Sequence, residues 1–394
     1  MSKLLEFING QRAALLKDLE QLVNMDSPTG SKVLVDQAME VVIQRFQELI
    51  GGTVERIPQE QFGDQIKLYL RKEAGAAEGS GAEVEKGAEA GQIMLLTHID
   101  TVWPEGEVAS RPFRQEGNRL YGPGIFDMKC GLLQGLYAMY AVASQCNPTK
   151  NIVLFINTDE EVGSPSSRRW IEEEAAKSDA VFVLEPALGP DGKLKTARKG
   201  VGRFTLEIEG VSAHSGINHS EGVSALEELA HQILFLQGLT DYEKGSTVNV
   251  GLASGGTAVN VVSDYARAQF ELRIESKDEE DRLSQLISNM SPVLNNVKLR
   301  VQGSMVRPPM ERAMSRDLFA SAQSVARELG FPLQEAATGG ASDGNFTAAL
   351  NVPTLDGLGA VGHGAHALDE YVELDHIALR SALLAHLMME QMKD

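Results

Sequence analysis

Ile93-Met94-Leu95-Leu96-Thr97-His98-Ile99-Asp100 is an apolar run that ends, through Thr97, in a histidine and an aspartate. Unbroken apolarity over so few residues is the pattern of a strand covered on both faces, as in a parallel sheet flanked by helices. The same arrangement recurs twice. Ile152-Val153-Leu154-Phe155-Ile156-Asn157 leads into Asp159-Glu160-Glu161, and Ala180-Val181-Phe182-Val183-Leu184 leads into Glu185. Ligands of open α/β sheets bind just beyond the carboxyl ends of the strands. Three such strands ending in imidazole or carboxylate groups predict an α/β fold with its chemistry gathered along one edge of the sheet.

Composition bounds what that chemistry serves. A chain of 394 residues, 43% hydrophobic and 23% charged, can bury a large core and is expected to form two domains. Its net charge of -19 repels phosphate backbones and anionic lipid. With no basic patch in the sequence to offset that charge, neither nucleic acid nor a membrane is expected as a partner, and a small-molecule substrate is favoured. Met1 to Met25 reads as an amphipathic helix carrying Leu4, Leu5, Ile8, Leu15, Leu16, Leu19 and Leu22, without the apolar core of a signal peptide. Cys130 and Cys146 make no disulfide framework, so a cytoplasmic setting is expected, or a periplasmic one if a signal peptide has been removed.

Lys72 to Gln92, rich in Ala, Gly and Glu, reads as an exposed tip between Gln65–Leu70 and the strand leading to His98. Those two strands are expected to pair antiparallel. From Arg198 onward the pattern changes to alternating strands at Gly202–Glu209, Thr247–Leu252, Tyr265–Ile274 and Val297–Val301, with helices at Gly222–Leu239 and Lys277–Val293. The order strand, helix, strand, strand, helix, strand predicts a compact α+β module inserted in the host sheet. A helix to Leu329, a Gly-rich loop, a short strand Val352–Leu355 and a last helix from Asp375 return the chain to the host, bringing His366 with them.

Imidazole and carboxylate together suit a zinc-type ion with an open position for water, and a short carboxylate on a loop can bridge two ions. Asp127, in Gly122-Pro123-Gly124-Ile125-Phe126-Asp127-Met128-Lys129, suits that bridging role. Asp100 is placed to accept the second N–H of His98. Adjacent glutamates at a strand end diverge, so one of Glu160 and Glu161 can bind metal while the other acts as general base. Each piece alone has a plainer reading. A histidine after a strand is usually a hydrogen-bonded loop residue, Asp159-Glu160-Glu161 a solvated helix start, and Gly122-Pro123-Gly124 a turn. The weight lies in their conjunction and order.

Five blocks resemble the M20 family of metallopeptidases, which holds zinc aminopeptidases, carboxypeptidases and N-acyl-amino-acid deacylases. They are Thr97 to Pro104, Gly122 to Gly131, Asp159 to Ser164, Ser212 to Gly216 and Gly364 to Tyr371. The resemblance spans nearly the whole chain. It implies a mixed-sheet, zinc-exopeptidase-like catalytic domain with helices on both faces, built from residues 1–198 and 310–394. Residues 199–309 would form an inserted α+β, ferredoxin-like lid and dimerisation domain. Two zinc ions per subunit are implied, replaceable by cobalt or manganese. Asp127 would bridge them, with His98 and Glu185 on one ion and Glu161 and His366 on the other; His363 is the nearest competitor of His366. A cis peptide after Asp127 is also implied.

Glu160 then looks like the catalytic base. Asp100 is placed with it among the catalytic residues as the partner of His98, and His214 resembles the family histidine that crosses a homodimer interface to polarise the scissile carbonyl. Arg307, Asn260 and Gly340 would hold the substrate, Arg307 by its free carboxylate. Glu185 and Arg307 together tilt the choice toward a C-terminal exopeptidase or an N-acyl-amino-acid hydrolase, and the reading taken is a glutamate-type carboxypeptidase that attacks with a metal-bridging water activated by Glu160. Hinges would lie near Lys199-Gly200 and Arg307 to Arg312. The alternatives are an N-acyl-amino-acid deacylase or dipeptidase, and a catalytically silent protein binding peptides or amino-acid conjugates. A magnesium phosphatase is disfavoured, since magnesium prefers oxygen ligands to two imidazoles.

Overall fold

A computed structural model describes residues 2–71 and 91–393. The chain forms two compact units, one from Met1–Thr196, Arg312–Ala337 and Ser342–Asp394, the other from Ala197–Glu311 and Thr338–Ala341. The expected exposed tip falls, over residues 72–90, outside the described residues.

The first unit is built on a six-stranded mixed sheet of β1 (Thr53–Ile57), β2 (Gln65–Leu70), β3 (Gln92–His98), β4 (Asn151–Asn157), β5 (Ala180–Val183) and β6 (Thr354–Leu355). The spatial order is β1-β2-β4-β3-β5-β6. β3 runs parallel to β4 and β5, and β6 parallel to β5, whereas β2 pairs antiparallel with β1 and β4. The expected pairing of β2 with β3 is therefore wrong, because β4 lies between them. A buried strand exposes two pairing edges, and β3 satisfies both in parallel with β4 and β5, leaving none for β2.

Why the strands are apolar throughout is plain from their alternation. Ile93, Leu95, Ile152, Leu154 and Phe182 enter the main core on one face, while Met94, Leu96, Val153, Phe155 and Val181 face a smaller core with Ile171 and Ala175 on the other. Helices cover both faces: α1 (Lys3–Gly10), α2 (Arg12–Val23), α3 (Lys32–Leu49), α4 (Cys130–Gln145), α6 (Arg316–Leu329) and α7 (Leu374–Glu390) on the first, α5 (Arg168–Ala175) on the second. The single N-terminal helix expected from the sequence is two, broken at Gly10 and Gln11, where glycine's larger entropy loss on ordering makes continuation costly. Its stripe is otherwise as read: Leu4, Ile8, Leu15, Leu19 and Leu22 are buried, and Leu5 and Leu16 pack partly against the same core. No helix among the described residues is long and apolar enough to cross a membrane.

The second unit has the order strand Gly200–Glu209, helix Ala225–Gln237, strands Thr247–Gly255 and Tyr265–Ile274, helix Lys277–Ser288 and strand Lys298–Arg307. Its four-stranded antiparallel sheet places Gly200–Glu209 and Tyr265–Ile274 at the centre, with Lys298–Arg307 and Thr247–Gly255 at the edges. Leu206, Ile208, Phe270 and Leu272 meet Leu229 and Leu283 in the core. Ser224 and Ser276 start the helices by accepting the backbone N–H groups of Glu227 and Glu279. The second helix stops at Ser288, five residues before the expected end at Val293.

The buried carboxylate of Glu279 accepts from Arg282 Nε at 2.8 Å and Nη2 at 2.7 Å, and from Ser246 Oγ at 2.7 Å. The Arg282 bonds, against burial and with Ser246, hold its pKa down to about 2 from an ordinary 4.5. A depressed carboxylate contributes stability above its ordinary pKa and loses it as pH falls through the folded value. Glu279→Gln is therefore expected to cost about 1–3 kcal/mol at pH 7. Urea unfolding should show that difference shrinking as pH drops from 4.5 towards 2. A pH-independent difference would contradict this.

Candidate metal centre

The parallel register of β3 and β4 sets His98 opposite Asn157, so both strands end at one edge, and Glu185 lies two residues past the end of β5. Gly131, at the start of α4, is what allows the helix to abut that edge. A Cβ there would lie 2.2 Å from the Leu184 carbonyl oxygen. The loop ahead of α4 carries Asp127, and its Asp127–Met128 peptide is cis.

His98 is buried. Its Nδ1 lies 2.9 Å from the Asp100 backbone carbonyl and 3.4 Å from the Asp100 carboxylate. The carbonyl is thus the nearer acceptor, where the sequence suggested the carboxylate. Donation from Nδ1 makes Nε2 the nitrogen that can ligate once it has lost its proton. Nε2 stands 3.1 Å from Asp127 Oδ1 and 3.7 Å from Glu185 Oε1. On the other side, half-exposed His366 points Nε2 at Asp127 Oδ2 at 3.5 Å and at Glu161 Oε2 at 3.0 Å. The two carboxylate oxygens of Asp127 are therefore divided between two imidazoles. His363, the competitor, is exposed and its ring faces Tyr371.

Glu160 and Glu161 sit in a 3-10 turn, Glu160–Val162, directly after β4. Their side chains diverge. Donor atoms of His98, Asp127 and Glu161 lie within 4.8 Å of one another, and so do those of His98, Glu160 and Glu185. The carboxylate of Asp100 explains why the turn is fixed: it accepts the backbone N–H groups of Glu160 and Glu161, each at 3.3 Å, and the Thr29 hydroxyl at 2.8 Å.

Charges follow from this packing. Hydrogen bonds to Asp127 and Glu161, against partial burial, raise the His366 pKa to about 10. Burial opposes charge on His98, but Asp100 and Asp127 outweigh it and hold its pKa well above the ordinary value. Burial likewise opposes charge on Asp127, and the two histidines hold it well below the carboxylate range. Burial raises Glu161. Glu161 Oε1 is buried with no hydrogen-bond partner among the described residues, an arrangement that costs about 1–3 kcal/mol unless something else meets it. Two imidazoles, four converging carboxylates and an orphaned buried oxygen fit a pair of zinc-type ions.

Zinc must displace the protons of both imidazoles. The raised pKa of each ring favours its protonated form, so zinc binding is expected to release protons from His98 and His366, and affinity to rise with pH. Mixing ion-free protein with zinc beside a pH indicator measures this. Binding without proton release would exclude the histidines as ligands.

The remaining residues singled out in the sequence lie in the second unit. His214 and Asn260 are neighbours there, since Ala213–His214 pairs with Val261–Val262 and Ser215 N donates to the Asn260 carbonyl at 3.0 Å. His214 Nδ1 accepts the Gly216 N–H at 3.1 Å, leaving Nε2 as the protonated nitrogen. Arg307 is buried at the end of its strand. Gly340 belongs to a short segment held by Arg198, which donates to its carbonyl at 3.1 Å, and by Arg273, which donates to the Gly339 carbonyl at 3.1 Å.

One residue carries more of the site than the sequence suggested. Glu370, which served only to space His366, is a buried carboxylate accepting from Trp103 Nε1 at 2.9 Å and from the backbones of Gly124, Phe126 and Asp127 at 3.0, 2.9 and 3.4 Å. Burial raises its pKa to about 6 against those donors.

Residues 94–390 match peptidase family M20/M25/M40. Carboxypeptidase G2 of Pseudomonas sp. (strain RS-16) is 29% identical over 387 residues, covering 96% of this chain and 90% of that one. Among solved structures, aminopeptidase PepT of Bacillus cereus superposes with a TM-score of 0.74 at 20% identity, over 97% of this chain and 99% of its own. A dinuclear metal-binding M20 peptidase of Bacillus subtilis gives 0.70 at 13% identity, over 98% and 99%. At those identities the structures show a shared fold, while the family match spans both sequence segments that supply the donor cluster. The chain belongs to peptidase family M20/M25/M40 and is a hydrolase of the peptidase class.

Proposed function

We propose that the protein is a two-zinc hydrolase that cleaves an amide next to a free carboxylate and releases a C-terminal amino acid of glutamate type. The observation that carries this reading is the division of the Asp127 oxygens between His98 and His366. His98 and Glu185 would hold one ion, Glu161 and His366 the other, with Asp127 shared; cobalt or manganese could replace zinc. When bound, the ions supply Lewis acidity that lowers the pKa of water and polarises the amide carbonyl.

Glu160 takes the proton of the attacking water and returns it to the leaving amine. Asp100 holds Glu160 in place through the backbone and sets the tautomer of His98. His214 presents its Nε2–H to the oxyanion, serving the active site of the other subunit in a homodimer formed through the second unit. That unit acts as lid and dimerisation domain. Asn260 and Gly340 steady the substrate, and Arg307 binds its carboxylate in the bidentate way a guanidinium allows. The likeness to a carboxypeptidase over nearly the full length supports this choice over a deacylase or dipeptidase.

The test is hydrolysis of N-acyl amino acids, dipeptides and folate-type glutamate conjugates, each with its terminal carboxylate free or amidated. Charge-assisted hydrogen bonds contribute about 1.5–3 kcal/mol each, so amidation is expected to lower kcat/KM by about a hundredfold. Equal rates on free and amidated substrates would remove the role of Arg307. Faster cleavage of N-acyl amino acids or dipeptides than of the conjugates would favour the deacylase or dipeptidase reading.

A further inference from the structure

The loops that carry Asp127 and His366 are distant in sequence, yet their side chains must meet within a few tenths of an ångström to share ions. The ligands tie these loops only through the contact of His366 with Asp127, and the strands that flank the loops, Tyr371–Glu373 and Arg119–Tyr121, pair antiparallel. His366 Nε2 and Asp127 Oδ2 stand 3.5 Å apart with no direct backbone pairing between the two residues. His366 also has a left-handed backbone, φ 63°, which a non-glycine residue keeps only where its surroundings enforce it.

Pairing of Gly362–His363 with Tyr371–Glu373 closes the segment that bears His366, and within that frame the side-chain contacts between the two loops converge on Glu370. It follows His366 in a turn closed by Ala367 N to Gly364 O at 2.8 Å and Glu370 N to Ala367 O at 3.2 Å. Gly364, at φ 87°, lies so close that a Cβ on it would come within 2.9 Å of Glu370 Cα. From that turn the Glu370 carboxylate reaches across to the other loop. Oε1 accepts the Phe126 and Asp127 N–H groups, and Oε2 accepts those of Gly124 and the Trp103 indole. Trp103 is fixed in turn, because the Arg111 guanidinium lies 4.1 Å over its ring and donates to the Leu368 carbonyl at 2.8 Å. Both arms therefore return to the turn that bears His366.

We infer that Glu370 is a positioning residue: its carboxylate clasps the Asp127 loop to the His366 loop and so sets the separation of the ligands that share the second ion. Trp103 completes the clasp from the side. The inference rests on the two-zinc reading above. A carboxylate is needed because all four partners are donors. A glutamine of the same size turns an NH2 group towards two of them.

The experiment compares zinc affinity and stoichiometry, by chelator competition, in wild type, Glu370→Gln and Trp103→Phe, with thermal unfolding of each ion-free protein. Loss of partners around metal ligands typically weakens binding about ten- to a hundredfold. Glu370→Gln is expected to lose that much at one of its two sites, and Trp103→Phe several-fold. With saturating zinc, kcat should return to within a few-fold of wild type. A purely structural carboxylate would instead lower the melting temperature of the ion-free protein and leave the affinity of folded molecules unchanged, and that result overturns the inference. Should Glu370→Gln fail to fold, Trp103→Phe with wild-type affinity at both sites overturns it alone. Wild type binding no zinc would sink the two-zinc reading itself, a distinct outcome.

Discussion

Glu160→Ala is expected to reduce kcat by about 10²–10⁴-fold while two zinc ions stay bound. Its carboxylate belongs to the donor group with His98 and Glu185, so geometry alone would also allow it to be a ligand. What separates the roles is the demand of each ion. In the proposed arrangement Asp127, His98 and Glu185 would give one ion a mixed nitrogen and oxygen set, and Asp127, Glu161 and His366 would give the other the same. Glu160 would then be surplus to ligation and would serve as the base. Stoichiometry by metal analysis beside single-turnover rates distinguishes the cases. Loss of one ion in Glu160→Ala would make the residue a ligand and leave the base to be found elsewhere.

Asp127→Ala is expected to act in the opposite way, on both ions together. Each Asp127 oxygen faces one histidine, so removal would strip a ligand from each ion at once and leave buried His98 with Asp100 as its remaining counter-charge. Zinc affinity should fall by more than about a hundredfold at both sites, taking turnover with it. Glu185→Ala or Glu161→Ala should weaken one site only. If Asp127→Ala lost a single ion and kept the other at wild-type affinity, the shared-carboxylate arrangement would be refuted.

Much of this arrangement was legible in the sequence because it rests on local pattern. Apolar runs as short as Ile93 to Leu96 can satisfy two buried faces only as strands, and the residue that follows each run lands at the sheet edge. The inserted unit was legible for the same reason, its alternating strands and Ser-capped helices carrying their own periodicity.

What escaped depends on which segments become neighbours. Periodicity marks β2 and β3 as strands but carries no information that β4 enters between them. Asp100 was recognised as a partner of His98, yet at a separation of two residues its carbonyl and its carboxylate are equally near, and only the folded backbone assigns them. The carboxylate's hold on Glu160 and Glu161 spans some sixty residues. Glu370 meets Trp103 across 267 residues. No spacing rule links them.

Zinc titration of metal-stripped protein, followed by release of the terminal amino acid from a substrate with a free carboxylate, goes straight to the two-metal chemistry. Activity should be absent without metal, return as zinc is added and level off at two equivalents per chain, and stay absent in Glu160→Ala at every zinc concentration. Full activity in the stripped protein, or a plateau at one equivalent, would contradict it.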